Sequence, residues 1–281
     1  MRVMDANALR LVPVVETDAH EGPVYAADED ALYFTTVPGP GPQVAIKRLE
    51  LASGRVSTIR EDANAANGMT LDLEGRLVVC EQGTLTEPAR ISRLDRASGA
   101  IETVVEGFNS PNDVVVKSDG TIWFTDPSYG YLQGFRPEPE RGDFVYRYDP
   151  ESEQLRVAID SLDKPNGLAF SPDETVLYVG DNGGPHHLLA FDVEDGSRVS
   201  GGRVVAVSTP EHPDGLKVDS EGRIYASFSG GVQVLDPSGD LLGEIELPGA
   251  VNFTFGGPGR DHLFITTDTA IWAAVLNAKG A

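Results

Sequence analysis

The sequence is poor in cysteine, in basic residues and in long apolar runs. Cys80 is the only cysteine among 281 residues, which excludes an intrachain disulfide framework and a Cys-x-x-Cys metal or redox site. Lys and Arg number 22 against 44 Asp and Glu, and the net charge of −22 argues against nucleic acid or a membrane surface as a partner. Because no apolar stretch approaches the length of a signal-peptide core or a membrane span, we expect a soluble cytoplasmic protein.

A repeated pattern runs through the chain. A turn, then Leu or Ile, then an aromatic or β-branched pair recurs as DALYFT, GRLVVC, GTIWFT, TVLYVG, GRIYAS and DHLFIT. The spacings between the Leu or Ile anchors are 45, 45, 55, 47 and 39 residues, which suits four short antiparallel strands with their turns. The anchors are Leu32, Leu77, Ile122, Leu177, Ile224 and Leu263.

Six such units predict an all-β fold, a six-bladed β-propeller formed by one domain over residues 1–281. No segment shows a sustained helical period, and a solenoid fits this repeat length less well. The N-terminal run LRLVPVV and the C-terminal run AIWAAVL lack partners within a complete repeat, so we expect them to pair in the last blade and close the ring. Residues 127–143 are rich in Pro, Gly and charged residues, a composition that predicts a long loop. The sequence does not decide whether this loop forms a lid over the central channel.

Each repeat carries an oxygen-bearing side chain 10 or 11 residues before its anchor. Because equivalent positions of successive blades are related by rotation, these residues should converge at the mouth of the central channel. Asn-Gly and Asp-Gly also form hairpin turns, but each repeat already has a turn downstream. We call the six residues the axial ring: Glu21, Asn67, Asn112, Asn166, Asp214 and Asn252.

Oxygen ligands without His or Cys favour a hard cation, and carboxylates mixed with amide carbonyls suit Ca²⁺ better than Mg²⁺. The two negative charges of the Glu21 and Asp214 carboxylates would balance the charge of one divalent cation. The five histidines do not occur at equivalent positions of the repeats, so we expect them on the surface and not in a zinc site. They are His20, His186, His187, His212 and His262. Cys80 and the two tryptophans, Trp123 and Trp272, lie in apolar strand patterns and predict core residues.

The segments EGPVY, SPNDVVVKSDGTIWFTDPSYG, KPNGLAF and HPDGLKV resemble the SMP-30/gluconolactonase/luciferin-regenerating-enzyme-like family of calcium-dependent propeller lactonases. The likeness runs across almost the whole chain and is closest to the bacterial gluconolactonase branch. It implies that Glu21, Asn166 and Asp214 bind the metal, that Asn112 completes the site or contacts substrate, and that Asp214 is also catalytic. The animal branch has an Arg at the position of Ser110.

The resemblance implies hydrolysis of a sugar lactone to the aldonic acid. A cation would polarise the carbonyl while Asp214 activates water, although direct attack by this carboxylate stays open. Predicted substrate contacts are Asn67, Asn112, Asp126 and Tyr129.

Two rival functions are a phosphotriesterase resembling the diisopropyl fluorophosphatases and a non-enzymatic calcium-binding propeller. The sequence leaves open which sugar lactone is the substrate and what the oligomeric state is. It also does not decide between Ca²⁺ and Zn²⁺, Mn²⁺ or Mg²⁺ in the cell.

Overall fold

The repeated strand and turn signals correspond to six four-stranded antiparallel sheets arranged as the blades of a β-propeller in the computed structural model. The structure describes residues 10–184, 186–207, 213–228 and 230–281. Within each of the first five blades the strands hydrogen-bond in chain order, from the axis outward. The predicted fold class is therefore confirmed.

Each of the first three blades consists of four strands, of which the second is buried along its whole length. Blade 1 contains β2 (Ala19–Ala26), β3 (Ala31–Thr36), β4 (Ile46–Glu50) and β5 (Arg55–Arg60). Blade 2 contains β6 (Ala66–Leu71), β7 (Leu77–Glu81), β8 (Arg90–Leu94) and β9 (Ile101–Glu106). Blade 3 contains β10 (Val114–Val116), β11 (Ile122–Asp126), β12 (Phe144–Asp149) and β13 (Gln154–Ile159).

The last three blades follow the same plan. Blade 4 contains β14 (Pro165–Phe170), β15 (Val176–Asp181), β16 (His187–Glu194) and β17 (Arg198–Val207). Blade 5 contains β18 (Leu216–Val218), β19 (Ile224–Phe228), β20 (Gly231–Leu235) and β21 (Leu241–Glu246). Blade 6 contains β22 (Phe253–Gly256), β23 (His262–Thr266), β24 (Ala270–Val275) and β1 (Leu11–Glu16).

The N-terminal strand closes the ring. β1 pairs antiparallel with β24, with Leu11 opposite Ala274 and Glu16 opposite Ala270. The last sheet thus contains both ends of the described chain, and the predicted closure is confirmed. Because closure pairs the first strand with the last, it protects strand edges that would otherwise be free.

The apolar core lies between blades rather than at the axis. Among the described residues it forms six clusters, each contributed by two neighbouring blades. Trp123 of blade 3, for example, packs edge-on against Phe170 of blade 4 with ring centroids 5.4 Å apart. The six repeat anchors all lie in the second strand of a blade and are at most 1 % exposed. Cys80 is buried in the cluster between blades 2 and 3, as predicted.

One short helix, α1 (Tyr129–Leu132), lies in the long connection between β11 and β12. Within the described part of the chain, no helix is long and apolar enough to span a bilayer. The innermost strands all start at the same face of the propeller. Connections that enter those strands, and connections between each second and third strand, therefore meet at that face around the channel mouth.

Candidate active site at the channel mouth

A pocket of about 290 Å³ opens at the axis on this face. It collects side chains from at least five blades, although these residues are far apart in the sequence. Five of the six axial-ring residues line it, together with Tyr129 of α1. The lining residues are His20, Glu21, Asn67, Asn112, Tyr129, Gln133, Asn166, Asn182 and Asp214. We refer to it as the axial pocket.

Two hydrogen bonds fix the side chain of Glu21. It lies in β2 and is 6 % exposed. Its Oε2 accepts a hydrogen bond of 2.7 Å from the Nδ2 of Asn252 and one of 3.2 Å from the backbone N–H of Gly22. Asn252, the sixth axial-ring residue, therefore orients a pocket residue instead of lining the pocket.

The pKa values of both axial carboxyl groups, Glu21 and Asp214, are raised in the folded protein. Asp214 lies just before β18 and is half-buried. Burial, and then the charge of Glu21, raise the pKa of Asp214 well above its ordinary value, while the amide of Asn166 partly offsets the shift. Burial also raises the pKa of Glu21, and the charge of Asp113 adds to this shift. Removal from water penalises an ionised carboxylate unless an opposite charge is near.

The amide residues present oxygen or nitrogen atoms to the same space. Asn112 and Asn166 are buried, while Asn67 is half-buried. The buried Oδ1 of Asn67 has no hydrogen-bond partner among the described residues. A buried acceptor without a partner is costly, so this atom marks a position where a ligand or cation would be stabilising.

The glycines that follow axial-ring residues are packing positions between blades rather than hairpin turns. A Cβ atom on Gly68 would lie 2.5 Å from the backbone oxygen of Asn112, and its N–H donates to that oxygen at 2.8 Å. The same close approach recurs around the ring, in each case to the axial-ring residue of the next blade. The pairs are Gly22 with Asn67, Gly68 with Asn112, Gly167 with Asp214, and Gly215 with Asn252.

Asp113 departs from this pattern, as Phe253 also does, because it occupies the position after Asn112 where four of the six copies have glycine. It is 3 % exposed, and its Oδ1 accepts a hydrogen bond of 2.9 Å from the N–H of Val114. Its buried Oδ2 has no partner among the described residues. Burial raises the pKa of Asp113, while the charge of Lys217 opposes the shift. The available signal was the Asp in PND, which directly follows the axial-ring residue of this repeat.

Residues 127–143 are pinned to the propeller face. The Ser110 hydroxyl donates to the carbonyl of Pro127 at 2.6 Å and accepts from the N–H of Gly130 at 2.9 Å. Since Ser110 is fully buried against this connection, it supports α1 and does not line the axial pocket. The helix in turn places Tyr129 and, directly after it, Gln133 in the pocket wall.

Arg136 makes the second attachment of this connection. Its Nε donates to the carbonyl of Asn109 at 2.9 Å and its Nη2 to that of Phe108 at 3.2 Å. Its Nη1 donates to the carbonyls of Thr84 and Glu87 at 2.6 and 2.9 Å. One guanidinium thus joins the connection to the loop between β7 and β8 and to the entry of β10.

The structure places Asp126 behind the pocket. Its carboxylate is fully buried and accepts hydrogen bonds from the N–H groups of Asn109 and Ser110 at 3.0 and 2.8 Å. Burial raises the pKa of Asp126 to about 7. The side chain therefore braces the segment that leads to Asn112, whereas Tyr129 lies in the pocket wall with its buried hydroxyl near the amides of Asn166 and Asn182.

Three pocket residues were not predicted from the sequence: His20, Gln133 and Asn182. His20 was expected on the surface, but it lines the pocket and its Nδ1 is 2.6 Å from Oδ1 of Asp268. Its position directly before Glu21 was the available signal. Gln133 and Asn182 come from connections without a repeated pattern. The prediction for His212 lies outside the described residues.

The donor set fits a hard divalent cation. Among the described residues, no group of three or more His, Cys, Asp or Glu side chains could hold a metal. Cation binding here would therefore need amide oxygens beside the carboxylates of Glu21 and Asp214. A bound cation would lower the raised pKa values of both carboxyl groups and would give Oδ1 of Asn67, which has no partner among the described residues, a partner.

The fold and the axial pocket define a six-bladed propeller with a polar, oxygen-lined site on its axis. Residues 19–269 match the model of the SMP-30/Gluconolactonase/LRE-like family, and the chain belongs to that family. A gluconolactonase of Zymomonas mobilis is 29% identical over 284 residues, covering 91% of this chain and 78% of that protein. Lactonohydrolase oryH of Aspergillus oryzae is 37% identical over 161 residues, which are 48% of this chain and only 34% of that protein.

Among solved structures, the gluconolactonase XC5397 of Xanthomonas campestris superimposes with a TM-score of 0.86 at 35% identity, covering 98% of this chain and 94% of that chain. The family resemblance seen in the sequence is thus confirmed over nearly its whole length. Family membership alone does not assign a role to any single residue.

Proposed function

We propose that the protein hydrolyses a sugar lactone to the aldonic acid with a divalent cation, Ca²⁺ first among candidates, held by Glu21, Asn112, Asn166 and Asp214. The observation that carries this proposal is their convergence in one pocket, where the two carboxylates have no Lys or Arg beside them among the described lining residues. Lactone hydrolysis is supported by the gluconolactonase and lactonohydrolase names of the relatives.

The bound cation would supply Lewis-acid polarisation of the lactone carbonyl and stabilisation of its developing negative charge. The Asp214 carboxylate takes a proton from the attacking water, whose oxygen forms the new bond to the carbonyl carbon. The C–O bond of the ring then breaks, and Asp214 returns its proton to the ring oxygen, which becomes a hydroxyl group. Asn67, Asn112 and Tyr129 contact the hydroxyl groups of the sugar, while Asp126 acts indirectly by holding the segment before Asn112.

A pair of carboxylate-to-amide variants tests the proposal. Asp214→Asn and Glu21→Gln should each weaken calcium binding in titration calorimetry. Asp214→Asn should also lower kcat for glucono-1,5-lactone by roughly 10²- to 10⁴-fold, the contribution of a positioned general base. Matched controls are Asp160→Asn and Glu106→Gln, because both side chains are exposed. Wild-type turnover by both test variants with calcium removed would overturn the proposal.

The two possible roles of Asp214 predict different isotope patterns. With Asp214 as general base, turnover in H₂¹⁸O puts the label only in the aldonic acid. If the carboxylate attacked directly and water then hydrolysed the mixed anhydride at the aspartyl carbonyl, repeated turnover would also label the peptide that contains Asp214. A side-by-side assay with organophosphates tests the alternative function, a phosphotriesterase. Hydrolysis of organophosphates without hydrolysis of any lactone would favour this alternative.

A further inference from the structure

A second pocket, larger than the axial one, lies beside it on the same face of the propeller. It has a volume of about 660 Å³ and is formed by the connections of blades 1 and 2 and by the turn after α1. Residues that the argument uses are Arg60, Asp62, Asn64, Thr84, Leu85 and Phe135. We call this cavity the side pocket.

Residues that are close together in the sequence line the two different pockets. Gln133 lines the axial pocket and Gly134, the next residue, lines the side pocket. Likewise Asn64 lines the side pocket and Asn67, three residues later, lines the axial pocket. A ligand that fills the axial pocket therefore has a neighbouring cavity available for any further part of the same molecule.

Asn64 lines the side pocket and carries a fixed acceptor. It is 8 % exposed, and its Nδ2 donates at 3.0 Å to both Oε2 of Glu81 and the carbonyl of Pro88. Both of those partners are acceptors, so the nitrogen must face them and Oδ1 must face the other way. Glu81 is itself fixed by Arg90 at 2.7 Å. The buried Oδ1 of Asn64 has no partner among the described residues.

Arg60 presents free donors in the same cavity. It ends β5 and is half-buried. Within the described part of the chain its guanidinium makes no hydrogen bond and no ion pair, and its Nε is buried without a partner. A buried guanidinium nitrogen with no acceptor is as unfavourable as the lone acceptor of Asn64, and one ligand carrying both donors and acceptors would satisfy the two together.

The charges and apolar groups around the cavity select the ligand class. The carboxylates of Asp62 and Glu87 line it and disfavour an anion, while Arg60 disfavours a cation. A neutral polyol matches instead, because each hydroxyl both donates and accepts. Phe135 and Leu85 add apolar surface for the C–H faces of a sugar ring, and Leu85 is 68% exposed. A volume of 660 Å³ lies within the range of ligand-binding cavities.

We propose that the side pocket binds a second sugar unit, so that the enzyme prefers lactones of disaccharide aldonic acids over a simple aldonolactone. This inference rests on the proposed lactonase function. The axial pocket would hold the lactone ring, and Arg60 and Asn64 would hold hydroxyls of the attached glycosyl group.

Kinetics on matched substrates test the preference. The panel is glucono-1,5-lactone with cellobiono-, maltobiono- and melibionolactone, which differ in linkage. Wild type should show a higher kcat/KM for at least one disaccharide lactone. Arg60→Gln should lower kcat/KM for the preferred disaccharide lactone by roughly tenfold, because a hydrogen bond to a charged group is lost. The kcat/KM for gluconolactone should stay within about twofold of the wild-type value. Leu85→Trp, which adds bulk at an exposed position of the cavity, should do the same. Arg55→Gln, 72% exposed at the other end of β5, should change neither.

Binding of maltitol, a neutral glycosyl polyol, separates this inference from the proposed function. Calorimetry should show maltitol binding to wild type and Asp214→Asn, and weakened binding to Arg60→Gln. Equal maltitol binding by wild type and Arg60→Gln would overturn the inference whatever the activity. Hydrolysis of gluconolactone with equal or slower turnover of every disaccharide lactone would also overturn it. If no lactone is hydrolysed but maltitol binding depends on Arg60, only the proposed function fails and the sugar site stands.

Discussion

The side-chain amide of Asn252 donates a hydrogen bond of 2.7 Å to Oε2 of Glu21. The two residues are 231 positions apart and belong to the last and first blades. This bond therefore depends on closure of the ring by β1 and β24. It fixes one carboxylate oxygen of the axial pocket and joins the proposed cation site to the closing blade.

Asn252→Ala should weaken calcium binding by about 10- to 100-fold, because a ligand that loses its orienting hydrogen bond must be ordered by the metal itself. Titration calorimetry measures this change, and Asn277→Ala, at an exposed position, serves as the control. Calcium affinity equal to that of wild type would show that the bond to Glu21 does not orient a metal ligand.

Gly68→Ala should lower the free energy of unfolding by roughly 1–3 kcal/mol, because its Cβ would overlap the backbone of Asn112 and Asp113 in the next blade. Urea titration followed by circular dichroism measures the change. Gly184→Ala is the matched control, since a Cβ there would contact no described residue within 4 Å. Equal losses in both variants would mean that the cost comes from glycine replacement in general, and would refute the packing role.

The stability contributed by Asp126 should fall as pH rises. The pKa of this carboxyl group is raised from 3.8 to about 7 in the folded protein, chiefly by burial. The folded state therefore binds its proton more tightly than the unfolded chain does. This stabilisation is complete below about pH 4 and is lost as pH rises through about 7. The free energy of unfolding falls by at most about 1.4 kcal/mol per pH unit from this one group.

Asp126→Asn removes this titration, so the unfolding free energy of wild type minus that of the variant should decrease between pH 4 and pH 7. Urea titrations at a series of pH values measure the difference. Using the difference cancels the contribution of the other carboxyl groups. A difference that stays constant, or grows, across this range would refute the assignment of a raised pKa to Asp126.

Arg136→Lys should loosen residues 127–143, because an ammonium group cannot reach the four carbonyls that the guanidinium contacts. We expect faster amide hydrogen exchange over residues 129–135 and a loss in kcat/KM of roughly tenfold from misplacement of Tyr129. Calcium affinity should stay the same, since Arg136 contacts none of the proposed ligands. Arg156→Lys, exposed on β13, is the control. Unchanged exchange over this segment would show that other contacts hold it.

The repeat made the architecture and most of the axial pocket predictable. Rotational symmetry converts an equal phase in the sequence into an equal distance from the axis, so Glu21, Asn67, Asn112, Asn166 and Asp214 could be placed together from spacing alone. Residues from connections that break the repeat could not be placed in this way. Gln133, Asn182 and most residues of the side pocket come from such segments.

The sequence by itself determined the six-bladed plan, the strand that closes the ring and the oxygen atoms gathered at its axis, because periodic burial leaves few other ways to pair these strands. Only the tertiary structure decided how individual side chains act. It turned Asp126 toward backbone N–H groups and Asn252 toward Glu21, and it placed His20 in the pocket wall. It also left Nε of Arg60 and Oδ1 of Asn64 without a partner among the described residues. Those outcomes depend on contacts between loops of different blades, whose geometry no local pattern specifies.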